Sequence, residues 1–210
     1  MAKRQLHDRY FKQAKRDGYL ARSAYKLLEI QRRRKILRQG TRVLDLGCAP
    51  GSWLQVASQI VGPRGTVVGV DLLRAARSLP ANVRTIEGDF TEVDPAQLIE
   101  LAGGDFHAVI SDMAPNTSGS GDDLISARMC HDILRILPGL LRVGGSCCMK
   151  IFEGVELGDV MSEARRAFAL AKGLKPKATR DVSREIYIVA TGYKAPAPRA
   201  QPEPKQAFRP

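Results

Sequence analysis

The feature that most narrows the fold is a short apolar run, Val43-Leu44-Asp45-Leu46, that breaks at Gly47 and passes through Cys48-Ala49-Pro50-Gly51 into Ser52-Trp53 and a helical pattern. A strand that ends in a glycine turn and restarts as a helix opens a parallel α/β sheet, whose ligands bind beyond the carboxyl ends of the strands where the strand order reverses. Glycine lets a ligand approach the backbone, and the first N–H groups of the helix face polar atoms placed there. The spacing is GxxxG with Pro50 inside and without the middle glycine of GxGxxG, so it suits a ligand lacking a pyrophosphate.

Downstream, β-branched runs alternate with amphipathic stretches, which predicts an α/β organisation. Strands are expected at 42–46, 66–70, 83–87, 107–111, 146–151 and 186–191, with a weaker one at 177–179. Helices are expected at 52–61, 95–102, 122–141 and 155–172. Upstream, 21–34 reads as a helix that docks Ala24, Leu27, Leu28 and Ile30 on the sheet and shows Arg32, Arg33 and Arg34 to solvent. The division predicted is a basic arm and helix at 1–40, one catalytic domain at 41–194 and a disordered tail at 195–210, where five prolines stand without an apolar period.

Charge is uneven along the chain. The net charge is +11, yet residues 1–40 hold 13 Lys/Arg against 3 Asp/Glu, and 41–191 sum to −2. A near-neutral body with a basic arm suits a polyanion, because Lys/Arg contacts to phosphates release counterions. No run of 18 apolar residues and no hydrophobic leader is present, which predicts a soluble cytoplasmic chain. Cys48, Cys130, Cys147 and Cys148 show no CxxC or Cys/His grouping, so reduced buried thiols are expected, and no metal site.

Three acids fall at three successive strand ends: Asp45, Asp71 and Asp89, the last followed by Phe90. An acid after the second strand can accept hydrogen bonds from ribose hydroxyls, and Asp89 can accept from an adenine amine. Together they outline an adenosine pocket. At Asp45-Leu46-Gly47-Cys48-Ala49-Pro50-Gly51 the chain resembles class I S-adenosylmethionine-dependent methyltransferases. The resemblance implies a Rossmann-like fold, with a seven-stranded, mostly parallel sheet, the last strand antiparallel and helices on both faces. It places the cofactor S-adenosylmethionine on Asp45, Gly47, Ala49, Pro50, Gly51, Trp53, Asp71, Asp89, Phe90 and Asp112.

The fourth strand ends in Ser111-Asp112-Met113-Ala114-Pro115-Asn116, and the fifth carries Lys150 inside the apolar run Met149-Lys150-Ile151. Methyl transfer to a hydroxyl requires a group that takes the hydroxyl proton. A desolvated lysine beside an acid-tipped strand fits that need. The segments Arg22-Ser23-Ala24-Tyr25-Lys26-Leu27-Leu28, Ser111 to Asn116, Met149-Lys150-Ile151-Phe152 and Ser183-Arg184-Glu185-Ile186-Tyr187 resemble the signature segments of FtsJ/RrmJ-type RNA 2′-O-methyltransferases. That resemblance implies a catalytic group of Lys26, Asp112, Lys150 and Glu185, with Lys150 as proton acceptor. It implies ribosomal RNA of the large subunit as partner and a uridine of 23S-type RNA as target; with the basic charge of the arm, RNA contacts are expected from Arg22, Lys26, Arg32, Arg33 and Arg34. A monomer with no obligate protein partner is expected.

Other methyltransferases fit less well. The Asn/Asp-Pro-Pro-aromatic segment of N6-adenine and N4-cytosine enzymes is absent, and no cysteine stands near the fourth strand end to serve a C5-cytosine enzyme. A small-molecule O-methyltransferase has little use for the basic arm. Two alternatives remain: a non-catalytic RNA-binding assembly factor that keeps the fold, and a 2′-O-methyltransferase of tRNA.

Overall fold

The computed structural model describes residues 2–76, 78–115, 121–179 and 183–194, with side chains from residue 9 onward. Asn116 and the expected disordered tail, 195–210, lie outside the described residues. Seven strands form one sheet: β1 (Arg42–Leu46), β2 (Thr66–Asp71), β3 (Val83–Glu87), β4 (Phe106–Ser111), β5 (Leu141–Phe152), β6 (Phe168–Leu174) and β7 (Glu185–Tyr193). Their spatial order is β3-β2-β1-β4-β5-β7-β6. Pairing is parallel from β3 to β5, while β7 lies antiparallel between β5 and β6. The order reverses between β1 and β4, which is where an open α/β sheet leaves a crevice.

The helices are α1 (Ala2–Arg16), α2 (Ala24–Arg34), α3 (Ser52–Val61), α4 (Pro95–Ala102), α5 (Asp122–Ile136) and α6 (Leu157–Ala167). Strand side chains alternate between the two faces of the sheet. Leu44, Leu46, Val68, Val109 and Met149 join one core beneath α4, α5 and α6. Val43, Val67, Ala108, Ile110, Cys148, Tyr187 and Val189 join the other, beneath α2 and α3. Both faces are therefore covered, and the central strands are apolar on both sides, as parallel strands in such sheets require. At α4, the Asp94 side chain caps the Ala96 N–H at 2.9 Å with Pro95 in the first turn, so the helix starts where the sequence predicts. Among the described residues no helix is long and apolar enough to cross a membrane.

Four elements differ from the expectations, the first being α1 (Ala2–Arg16), a helix where only a basic arm is expected. The expected helix at 155–172 ends at Ala167, and Phe168–Leu174 is the edge strand β6. Its buried positions, Phe168, Ala171 and Leu174, are three residues apart, so its apolar pattern mimics a helix. The weak strand expected at 177–179 is a turn closed by the Thr179 N–H on the Pro176 carbonyl at 3.0 Å. The helix expected at 122–141 stops at Ile136, a 3-10 turn follows at Leu137–Gly139, and β5 starts at Leu141 rather than at 146. Pro138 removes a helical N–H there and ends the helix.

Candidate functional site

Strand parity brings the predicted reacting residues onto one face. Lys150 lies two positions beyond Cys148, which packs on the α2–α3 side, and its register partner on β7 is Tyr187. Glu185 precedes Tyr187 by two and opposes Phe152. Asp112 continues the parity of Ala108 and Ile110, and α2, packed over this face, supplies Lys26. All four predicted residues meet.

Lys26 Nζ donates to Glu185 Oε2 at 2.7 Å and lies 3.8 Å from Asp112 Oδ1. Lys150 Nζ donates to the Asp112 carbonyl oxygen at 2.7 Å and lies 3.1 Å from Asp112 Oδ1. Lys26 and Lys150 are 6% and 8% exposed, so each Nζ finds its partners within the protein, at Asp112 and Glu185. Tyr187, fully buried, completes the cluster by donating its hydroxyl to Asp112 Oδ1 at 2.5 Å. Burial, with the Asp112 and Glu185 carboxylates nearby, pushes the Tyr187 phenol well up, so it remains a donor. The sequence reading quoted Tyr187 only as part of a segment. Its register with Lys150 across an antiparallel pair is the missing signal, and register across separate strands is not written in one sequence.

The turn after β1 is tightly held. Gly47 has φ of 74° and a Cβ there would stand 2.0 Å from Met113 Cγ, so no side chain fits. Asp71 braces the turn, with Oδ2 accepting from the Ala49 N–H and Oδ1 from the Leu73 N–H, both at 2.8 Å. Beneath it Asp45 is buried, and among the described residues neither of its carboxylate oxygens has a hydrogen-bond partner. Burial first, then the charges of Asp112 and Asp71, push the Asp45 carboxyl well above the usual range. An orphaned buried carboxylate at a strand end is an acceptor without its donor.

A cleft of 340 Å³ opens beside the turn, a size that suits a small-molecule ligand. Of the residues predicted to hold a cofactor, Gly47, Asp71, Asp89 and Phe90 line it. Asp89 is fixed by Thr91, whose N–H and hydroxyl both donate to Oδ1. Asp45, Ala49, Pro50, Gly51, Trp53 and Asp112 do not line the cleft. Trp53 is buried, its ring stacked at 5.8 Å on Tyr187 and its indole N–H on the Ser23 carbonyl at 3.0 Å. The far wall is a face of α5, Ile125, Arg128, Met129 and Asp132, which the sequence reading did not assign. Their i, i+3, i+4, i+7 spacing was the available signal. A larger cleft of 620 Å³, lined by Arg64, Asn82 and Arg84 among others, opens at the amino ends of β2 and β3, and no predicted site residue lines it.

The predicted RNA contacts separate. Arg32 is exposed, whereas the Arg33 guanidinium pairs with Glu29 at 2.9 Å. Arg34 is half-buried, with its Nε enclosed and unpartnered, and is not turned to solvent as expected. It follows fully buried Ile30 by four residues, which sets it on the inward side of the helix. Arg22 is half-buried, four residues before Lys26. The four cysteines are buried and free, and burial raises the Cys147 thiol to about 12.

The chain matches the FtsJ-like methyltransferase family over residues 19–193. It is 45% identical to a ribosomal RNA large subunit methyltransferase E of Syntrophobacter fumaroxidans, across 88% of this chain and 94% of that one. Identity to the protein of the same name in Pseudomonas fluorescens is 42%, across 91% and 93%. A crystal structure of a ribosomal RNA methyltransferase from Plasmodium falciparum superposes with a TM-score of 0.72 at 26% identity, covering 83% of this chain and 98% of that one. With the glycine turn, the acid-lined cleft and the Lys26–Asp112–Lys150–Glu185 cluster, these matches lead to one conclusion: the chain belongs to the FtsJ-like methyltransferase family.

Proposed function

We propose that this methyltransferase moves a methyl group from S-adenosylmethionine to a ribose 2′-hydroxyl of large-subunit ribosomal RNA, a uridine by family resemblance. The observation that carries the reading is the placement of Lys150 against Asp112, in a cluster of two lysines and two acids beside the point where the strand order reverses. The names of the relatives support the substrate class. The residues present fit the cofactor: the orphaned Asp45 carboxylate awaits a donor, and the Gly47 turn excludes any side chain. Gly47 and its turn would hold the methionine part, Asp71 the ribose hydroxyls, and Asp89 with Phe90 the adenine. When bound, the cofactor supplies an electrophilic sulfonium methyl and a thioether leaving group.

The protein's own work is to orient the ribose and to manage one proton. Lys150 Nζ, as the amine, accepts the 2′-hydroxyl proton while the ribose oxygen takes the methyl group, and the ammonium so formed rests on Asp112. Lys26, held by Glu185, offers positive charge to the ribose or an adjoining phosphate. Arg22 and Arg32, on and beside α2, extend that charge for the RNA backbone, with Arg33 added when it leaves Glu29.

The test is a substrate panel with radiolabelled cofactor: large subunits from cells lacking the modification, free ribosomal RNA, tRNA and DNA. Label entering ribosomal RNA is the expected result. Preferential labelling of tRNA would move the substrate assignment, and no transfer at all would favour the assembly-factor alternative.

A further inference from the structure

Asp112 Oδ1 is the most contested atom of the site. It receives the Tyr187 hydroxyl at 2.5 Å, faces Lys150 Nζ at 3.1 Å and lies 3.8 Å from Lys26 Nζ. Tyr187 is itself immobilised. Its ring stacks on Trp53, Lys26 Nζ stands 5.8 Å from the ring centre, and β-pairing fixes its backbone opposite Lys150. Trp53 in turn is tied to Ser23, whose hydroxyl shares a 2.8 Å hydrogen bond with Ser52 at the start of α3.

We infer that Tyr187 is a positioning residue for methyl transfer. Its hydroxyl fixes the Asp112 carboxylate and takes up part of its charge, so that Lys150 is oriented by Asp112 without being locked as an ammonium. This rests on the proposed role of Lys150 as proton acceptor. A carboxylate that served Lys150 alone would favour the ammonium and withhold the amine the reaction needs. A neutral donor on the same oxygen weakens that pairing and keeps its geometry. The Trp53 stack adds a mechanical link from the helix after the cofactor turn to the catalytic carboxylate. Among the described residues, the charged and titratable groups facing this cluster are Lys26 from α2, Asp45 from β1, Asp112 after β4, Cys148 and Lys150 on β5 and Glu185 on β7, and Tyr187 is the neutral group that donates to Asp112 Oδ1.

The test measures single-turnover methyl transfer against pH for wild type and Tyr187→Phe, alongside cofactor and RNA affinity. Removal of the hydroxyl should lower the rate at pH 7 by roughly tenfold, the size of a hydrogen bond to a charged group. It should leave both affinities within about twofold and move the rising acid limb to higher pH, with the rates converging in alkali. A site-specific fluorinated tyrosine keeps the ring and sharpens the donor, and it should move the limb to lower pH. A pH-independent loss in Tyr187→Phe, or no displacement of the limb in either variant, would overturn the inference. The reading beneath it fails separately, if Lys150→Ala retains wild-type turnover.

Discussion

Asp45 and Asp112 stand at the ends of neighbouring strands, on the same face of the sheet, and meet opposite fates. Asp45 is fully enclosed, without a single donor, and its carboxyl is pushed up by burial. Asp112 is partly open and collects the Tyr187 hydroxyl and Lys150 Nζ on one oxygen, with Lys26 Nζ nearby. The difference separates a side that we propose is prepared for the cofactor from a side already assembled by the protein. At Asp45 a carboxyl is buried without a donor among the described residues, whereas at Asp112 a hydroxyl and two lysine side chains gather around one carboxylate.

The largest effect should come from breaking the assembled side. Lys150→Ala is expected to cost about 100- to 10,000-fold in single-turnover rate, the range of a positioned general base. Cofactor affinity measured by calorimetry should hold. Next is the prepared side: Gly47→Ala forces a Cβ onto Met113 at a positive φ. It should lower stability by about 1–3 kcal/mol in urea unfolding, and weaken cofactor binding by about tenfold or more.

Asp45→Asn sharpens the comparison by splitting stability from function. The folded protein holds the Asp45 carboxyl raised, so between the unfolded value, about 4, and that raised one the folded state binds more protons than the unfolded. Stability of the ligand-free protein therefore falls as pH rises through that window. The amide should abolish that fall and stabilise the ligand-free protein at pH 7 by about 1 kcal/mol, while reducing cofactor affinity. A flat melting temperature from pH 4 to 8 in the wild type would contradict the account of Asp45. The smallest effect belongs to Arg32→Ala, which should weaken RNA binding a few-fold and lower its logarithmic salt slope by about 1, with cofactor binding untouched.

The prepared side was far more legible in the sequence than the assembled one. Asp45, Gly47 and Gly51 lie in one contiguous run, and Asp71 and Asp89 follow at strand ends whose bounds the hydrophobic pattern places within a residue. Asp112 and Lys150 could be argued from the next strand ends. Lys26 and Glu185 stand 159 positions apart, and their 2.7 Å contact depends on how α2 crosses the sheet, so only resemblance joined them in advance. Tyr187 needed the β5–β7 register. Edge strand β6 was misread because only one strand pairs with it and its buried side chains fall three apart, as on a helix. Along α2 the three arginines read alike in sequence, yet Glu29 takes Arg33 and the helix turns Arg34 inward.

The central claim, that this cluster deprotonates a ribose hydroxyl, is tested most directly by locating the methyl group. Large subunits labelled by the purified protein are stripped to RNA, cleaved with alkali and digested to nucleosides. The account predicts all label in an alkali-resistant dinucleotide that yields a 2′-O-methylated nucleoside. Label on a base, with the neighbouring phosphodiester still cleaved by alkali, would contradict it.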